Sequence, residues 1–228
     1  MTALLASVVS AEEAGLARAA GVDLIDFKDP AAGALGALPP EVIRSARAGL
    51  TVATSATAGD LPCRAEDWIP AVRTMAATGV DYVKLGLFPG SDPAAALAAL
   101  GPLSAAGVQV VVVLFADRDP DFGWLGPIRD AGCAGAMLDT AGKTGGRLLD
   151  HLDEAALGRF VHRARTLGLL SGLAGSLALA DIPRLLPLAP DYLGFRGALC
   201  RGGRDGVLDP AALARVRAAI PAATRAVS

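Results

Sequence analysis

The 228-residue sequence has only three cysteines, two histidines and 4% aromatic residues. Cys63, Cys133 and Cys200 form no CxxC pair and are odd in number, which argues against a disulfide framework. His151 and His162 have no cysteine nearby, so no metal-ligand spacing arises and no metal is expected. All five read as ordinary packing or surface positions. Long apolar runs are missing too. "VQVVVVLFAD" falls well short of the ~20 residues a membrane helix requires and reads as a buried strand. "MTALLASVVS" lacks the basic start and apolar length of a signal peptide, so a cytoplasmic chain with no membrane partner is expected. Net charge is only −2, with arginines spread along the chain, which speaks against a nucleic-acid surface. The first strand–helix turn, "VVSAEEAG", has neither a GxGxxG fingerprint nor a P-loop.

Lysine is the most informative scarcity. Against eighteen arginines the chain keeps Lys28, Lys84 and Lys143 alone. A coding bias toward Arg and Ala would remove Lys from replaceable surface sites, which raises interest in the survivors. Lys can lose its proton when desolvated or set beside another cation and then attack a carbonyl, whereas Arg cannot.

What is abundant is apolar: 53% of residues, arranged as short runs alternating with helical segments. Strands are expected at 3–9, 23–28, 51–56, 81–87, 109–115, 135–139, 169–175 and 191–197. Helices are expected near 11–20, 40–48, 66–78, 92–106, 122–131, 153–167, 178–186 and 210–219. Ser10, Pro39-Pro40 and Asp92-Pro93 mark helix starts, and Gly21, Gly79, Gly107, Gly132 and Gly168 fit the position just past helix ends. Eight strand–helix units argue for an α/β fold, a (β/α)8 TIM barrel spanning 1–228 as one domain, with a frayed "AATRAVS" end. An open doubly wound sheet is the weaker alternative, since no Gly-rich first turn supports it.

Barrel chemistry gathers at the C-terminal strand ends. Lys28 ends strand two, Lys84 lies near the end of strand four, and Lys143 follows Asp139 at the end of strand six. Alternation puts Asp26 and Lys28 on one face of strand two. Strands two, four, six and eight can bring Lys28, Lys84, Asp139 and Arg196 to one region, which is equipment for Schiff-base or enolisation chemistry on a carbonyl. "LAGSL" and "FRGALC" close strands seven and eight, where barrels commonly hold phosphate. Gly175, Ser176, Arg196 and Gly197 are the candidate phosphate contacts. "TSATAGD" (54–60) offers hydroxyls for a polar pocket wall, and "DPAAGALGAL" (29–38) is either a mobile lid or a quiet connection.

In their order, "LLASVVSAEEA", "GVDLIDFKDPAAGALGA", "SATAGDLP", "GVDYVKLGL", "DAGCAGAMLDTAGKTGGRLLDHLD", "LAGSL" and "FRGALC" resemble the (5-formylfuran-3-yl)methyl phosphate synthase family over nearly the whole chain. The resemblance implies a TIM-barrel lyase of methanofuran biosynthesis that needs no cofactor. Such an enzyme joins two glyceraldehyde 3-phosphates into 4-(hydroxymethyl)-2-furancarboxaldehyde phosphate, with loss of phosphate and water. It implies Lys28 as the Schiff-base lysine for dihydroxyacetone phosphate, Asp26 as its acidic partner and Lys84 as general acid/base. Asp139 and Lys143 would be a further polar pair. Triose phosphates are the expected partners, together with further copies of the chain in a homo-oligomer. The family has "NP" and "EGSLGA" in the strand-two loop where this chain has "DP" and "AGALGA". "FADRDPDFGW" does not align, which leaves a second phosphate site unassigned, with Arg118 and Arg147 as available charges. The rival expectations are another class I aldolase-type phosphosugar barrel, or a barrel that only binds a phosphometabolite.

Overall fold

Eight parallel strands pair in chain order and the eighth closes on the first. They are β1 (Ala3–Val8), β2 (Leu24–Phe27), β3 (Ala53–Thr57), β4 (Tyr82–Gly86), β5 (Val110–Phe115), β6 (Gly135–Asp139), β7 (Leu170–Leu173) and β8 (Tyr192–Phe195). The computed structural model describes residues 1–89, 92–142 and 145–221. The "AATRAVS" end and Lys143 lie outside the described residues.

β5 illustrates how sequence builds this barrel. All six residues of "VVVVLF" are buried, because a barrel strand has no solvent face. Val111, Val113 and Phe115 join a small cluster inside the barrel with Leu5, Leu24 and Met137. Val110, Val112 and Leu114 join the larger cluster between strands and helices. Full burial of each such side chain stabilises by about 1.5–3 kcal/mol.

The helices are α1 (Ala11–Ala19), α2 (Pro40–Arg47), α3 (Ala65–Ala76), α4 (Pro93–Ala98), α5 (Gly101–Ala105), α6 (Leu125–Asp130), α7 (Leu148–His151), α8 (Glu154–Thr166), α9 (Ile182–Leu185) and α10 (Pro210–Ala219). None among the described residues is long and apolar enough to cross a membrane. The expected start signals are present. The Ser10 side chain accepts from the N–H of Glu13, Asp92 accepts from Ala95, and Pro40 opens α2. Gly21, Gly79, Gly107, Gly132 and Gly168 all take positive φ at helix ends.

Some boundaries differ from expectation. The helix expected over 92–106 is two pieces, α4 and α5, because Pro102 has no N–H to continue the ladder. The segment expected as a helix over 178–186 is α9 between two single-turn 3-10 pieces. Among the elements that went unread are α7 and an antiparallel hairpin of β9 (Cys200–Arg201) and β10 (Val207–Leu208) after β8.

A repeated device braces the end of the barrel opposite the strand C-termini. The residue before β2, β4 and β8 is in each case Asp, and each accepts an N–H from the preceding strand. Leu4 donates to Asp23, Thr54 to Asp81 and Ser171 to Asp191. This leaves the opposite face free for chemistry.

Candidate active site

The site starts from strand parity. The N–H of Lys28 donates to the Val8 carbonyl at 3.1 Å, which extends the β1–β2 ladder one residue beyond Phe27. Lys28 therefore keeps the inward parity of Leu24 and Asp26. Lys84 sits inside β4, opposite Thr57 in register, and Asp139 is the last residue of β6. All four line one cavity of about 400 Å³.

They form two ion pairs at two depths. The lower one joins Lys84 Nζ to Asp26 Oδ1 at 3.0 Å, with side chains only 2% and 3% exposed. Ser7 donates to Asp26 Oδ2 at 3.0 Å and Ser55 donates to Oδ1. The upper one joins Lys28 Nζ to Asp139 Oδ2 at 3.3 Å, with side chains 13% and 14% exposed, so it meets the mouth. Asp139 is steadied from its other oxygen by the N–H of Thr140.

Burial shapes the lower pair. It pushes the Lys84 ammonium below the ordinary lysine range. The charge and hydrogen bond of Asp26 oppose that, and the nearby Lys28 cation adds to it. Burial also pushes the Asp26 carboxyl up, but Lys84, the Ser55 hydroxyl and Lys28 together outweigh it and hold Asp26 below the ordinary carboxylate range. Of the two amines, Lys84 is the one removed from water.

A stability result follows. Asp26→Asn leaves Lys84 buried without its counter-charge, which costs on the order of 3–5 kcal/mol near pH 7. Asp26 raises the Lys84 pKa, so its loss moves the folded value further below 10.5. Between those values the unfolded chain binds more protons, and stability rises with pH. Denaturant unfolding should show Asp26→Asn regaining stability relative to wild type from pH 7 to 9.5. A constant gap would contradict the charge assignment.

Tyr192 and Asp117 are among the features not read from the sequence. The Tyr192 ring lies in the barrel interior with Lys84 Nζ 5.9 Å from its centroid, and Gly172 leaves room for it. A Cβ there would meet the ring at 2.3 Å. Burial first, then the carboxylates of Asp26 and Asp191, push the Tyr192 phenol well above its ordinary value. Asp117, in the unaligned stretch after β5, accepts from the N–H groups of Ala141 and Gly142 at 2.8 and 2.7 Å. It holds the start of the loop that leads to Lys143.

The strand-seven and strand-eight ends also line the cavity: Gly175 to Ala178, then Arg196 to Ala198. Ser176 is exposed, with φ +52°, an unusual value for a residue with a Cβ. The N–H groups of Ser176 and Gly197 have no acceptor among the described residues.

Arg196 requires a correction. It was expected to offer its charge to a phosphate. Its guanidinium instead donates to both oxygens of Glu13 and to the carbonyls of Ser7, Arg204 and Gly206. Those bonds occupy all five donors of the fork. Glu13 is itself buried and also accepts from Val9 and Leu208. Arg196→Ala is thus expected to lower stability by about 3–5 kcal/mol, because it strands a buried carboxylate. Denaturant unfolding measures this, and a loss under 1 kcal/mol would restore Arg196 as a free cation.

The 54–60 segment is not part of the cavity wall. Ser55 supports Asp26, Thr57 donates to the Gly36 carbonyl at 2.7 Å, and Asp60 accepts from Ala34 and Leu35. The 29–38 loop is therefore tied down, with Leu35 buried in the interior cluster, which favours the quiet-connection expectation over the lid. Of the two spare cations, Arg147 is paired with Asp181 and Asp150, while Arg118 is exposed and stacks 6.0 Å from the Phe88 ring.

Comparison with known proteins gives a consistent family signal. The family model described as 4-HFC-P synthase matches residues 4–217. A Methylorubrum extorquens protein, provisionally named (5-formylfuran-3-yl)methyl phosphate synthase, is 47% identical over 226 residues, covering 98% of this chain and 93% of its own. The (5-formylfuran-3-yl)methyl phosphate synthase of Methanopyrus kandleri is 39% identical, covering 89% of this chain and 91% of its own. Among solved structures, phosphoribosyl anthranilate isomerase from Thermus thermophilus superposes with TM-score 0.68 at 20% identity, over 96% of this chain and 98% of that one. A 3-hexulose-6-phosphate synthase gives TM-score 0.66 at 20% identity, over 96% and 100%. The structural likeness concerns the barrel fold alone.

Proposed function

The chain belongs to the 4-HFC-P synthase family of enzymes, and on that premise we propose that it joins two glyceraldehyde 3-phosphates into 4-(hydroxymethyl)-2-furancarboxaldehyde phosphate through a lysine Schiff base. The observation that carries this reading is the stacked arrangement of two lysine–aspartate pairs, one buried and one at the mouth.

One triose phosphate is first isomerised to dihydroxyacetone phosphate, a proton shift between adjacent carbons. Lys28 is the amine that a substrate reaches from the mouth. In its neutral form it adds to the ketone carbonyl and expels water as the iminium forms. The iminium makes the former ketone carbon a strong electrophile. The second glyceraldehyde 3-phosphate gives up its C2 proton to a base and expels phosphate from C3, leaving an enol whose terminal CH2 carbon attacks the iminium carbon and forms the new carbon–carbon bond. Ring closure, with net release of one phosphate and two waters from the two trioses, gives the furan and frees Lys28.

Lys84 is the proton carrier. Its burial lowers the cost of losing a proton, and Asp26 supplies the counter-charge when the proton returns. Asp139 orients the Lys28 amine. The resemblance implies a further polar role for Lys143, four residues after Asp139 in the sequence. The phosphate that anchors the substrate is assigned to the donors of Gly175, Ser176 and Gly197.

Product analysis from glyceraldehyde 3-phosphate alone tests the assignment. The expected product absorbs in the ultraviolet as a furan aldehyde, retains one phosphate and appears with one equivalent of inorganic phosphate. A sugar product that keeps both phosphates would assign the chain to a class I aldolase-type reaction. Saturable binding without turnover would make it a phosphometabolite binder.

A further inference from the structure

We propose that Arg204 supplies the positive charge that neutralises the substrate phosphate at the ends of β7 and β8, an inference that rests on the phosphosugar reading above. Four cations among the described residues line the cavity: Lys28, Lys84, Arg196 and Arg204. Three already have carboxylate partners, in Asp139, Asp26 and Glu13. Arg204 differs. Its nearest carboxylate is Asp205, 4.0 Å from Nε on a side chain that is 68% exposed. Its Nη2 donates to the carbonyls of Pro30 and Gly33, at 3.2 Å each. Carbonyl oxygens satisfy donors without cancelling charge, and Asp205 is an exposed partner at the limit of ion-pair distance, so Arg204 brings a weakly compensated guanidinium to the cavity.

Its location fits the anion. The Arg204 backbone nitrogen lies 3.5 Å from where a Cβ on Gly197 would stand, so the two residues share one stretch of wall. Arg196 fixes that stretch from below. It holds the Arg204 and Gly206 carbonyls, while Glu13 accepts from Leu208, and the β9–β10 hairpin is thereby pinned to α1 and β1. The division of labour is clear: Arg196 is spent on positioning the hairpin, and Arg204 on the hairpin carries the less compensated charge. A phosphate offers the guanidinium charged, bidentate acceptors, which are stronger than two carbonyls at 3.2 Å.

The test is binding without turnover. Glycerol 3-phosphate, which has no carbonyl to react, is titrated by calorimetry into the full-length wild type, Arg204→Gln and Arg204→Lys. Amide hydrogen exchange over residues 30–36 reports separately on the carbonyl tie. The expected result is a dissociation constant about 10–100-fold higher in Arg204→Gln, the scale of a charge-assisted contact. Arg204→Lys should recover most of that loss even where exchange at 30–36 is faster, because charge and not the loop tie is what matters. Equal constants in wild type and folded Arg204→Gln would overturn the proposal. So would a Lys variant as weak as the Gln variant, with exchange raised equally in both, since Arg204 would then be a loop tie. Furan formation with unchanged affinity faults only Arg204, whereas Arg204-dependent phosphate binding without furan formation faults only the reaction.

Discussion

Lys28→Arg is expected to give a folded protein that forms no furan aldehyde phosphate. The substitution keeps a cation opposite Asp139, where Lys28 Nζ now lies 3.3 Å from Oδ2, so the mouth of the barrel keeps its charge balance. It removes the one property the reaction needs, since a guanidinium does not release its proton in a protein and cannot add to a carbonyl. Water or a neighbouring amine does not substitute well for a positioned covalent nucleophile. The expected loss in kcat is on the order of 10⁴-fold or more, the scale seen when such a nucleophile is deleted. Coupled phosphate release provides the measurement, with circular dichroism to confirm the fold. Activity within tenfold of wild type would remove Lys28 from the covalent step.

Lys84→Arg should lose about 10²–10⁴-fold in kcat while keeping much of the affinity for substrate, because general acid–base catalysis is what it forfeits. Arginine keeps the charge that Asp26 requires, which protects the fold better than a neutral residue would. Lys84→Gln serves as the companion variant, tested for stability first, should the larger guanidinium crowd the Tyr192 ring. The pH profile adds a second check. In wild type the limb that reports neutral Lys84 should rise below the ordinary lysine value of 10.5, since burial depresses that group. In Asp26→Asn the same limb should move lower still, because the carboxylate that props the ammonium up is gone. Wild-type rates in Lys84→Arg, within threefold, would take Lys84 out of proton transfer.

Much of this was legible from pattern. Alternation on "DLIDFK" put Asp26 and Lys28 on one face, and both point into the barrel. Terminal glycines and Asp-Pro signals marked helix ends because they reflect local backbone chemistry, which needs no tertiary knowledge. Depth was not legible. Parity says that Lys84 faces inward but not how far below the mouth it lies, since strand stagger around a barrel sets height. That is why the buried pair proved to be Lys84 with Asp26, while Lys28 reached across to Asp139, 111 residues away.

Arg196 shows the same limit more sharply. Its position after β8 carries the local signal of a phosphate contact. Its partner, Glu13, lies 183 residues earlier on α1, and nothing local announces the ion pair. Ser7 was equally hidden, as a serine in an apolar run, although its parity with Leu5 could have flagged it as an interior hydroxyl. Arg204 carries no local signal of a site, since only the folded hairpin brings it to the cavity.

The central claim is that Lys28 bonds covalently to the substrate carbonyl while the buried Lys84 moves protons. Borohydride reduction in the presence of dihydroxyacetone phosphate, followed by peptide mass spectrometry, tests it most directly. The expected result is a single reduced adduct on the peptide carrying Lys28, absent from Lys28→Arg and still present in a folded Lys84→Arg. An adduct on Lys84 or Lys143, or no adduct under conditions that support turnover, would contradict it.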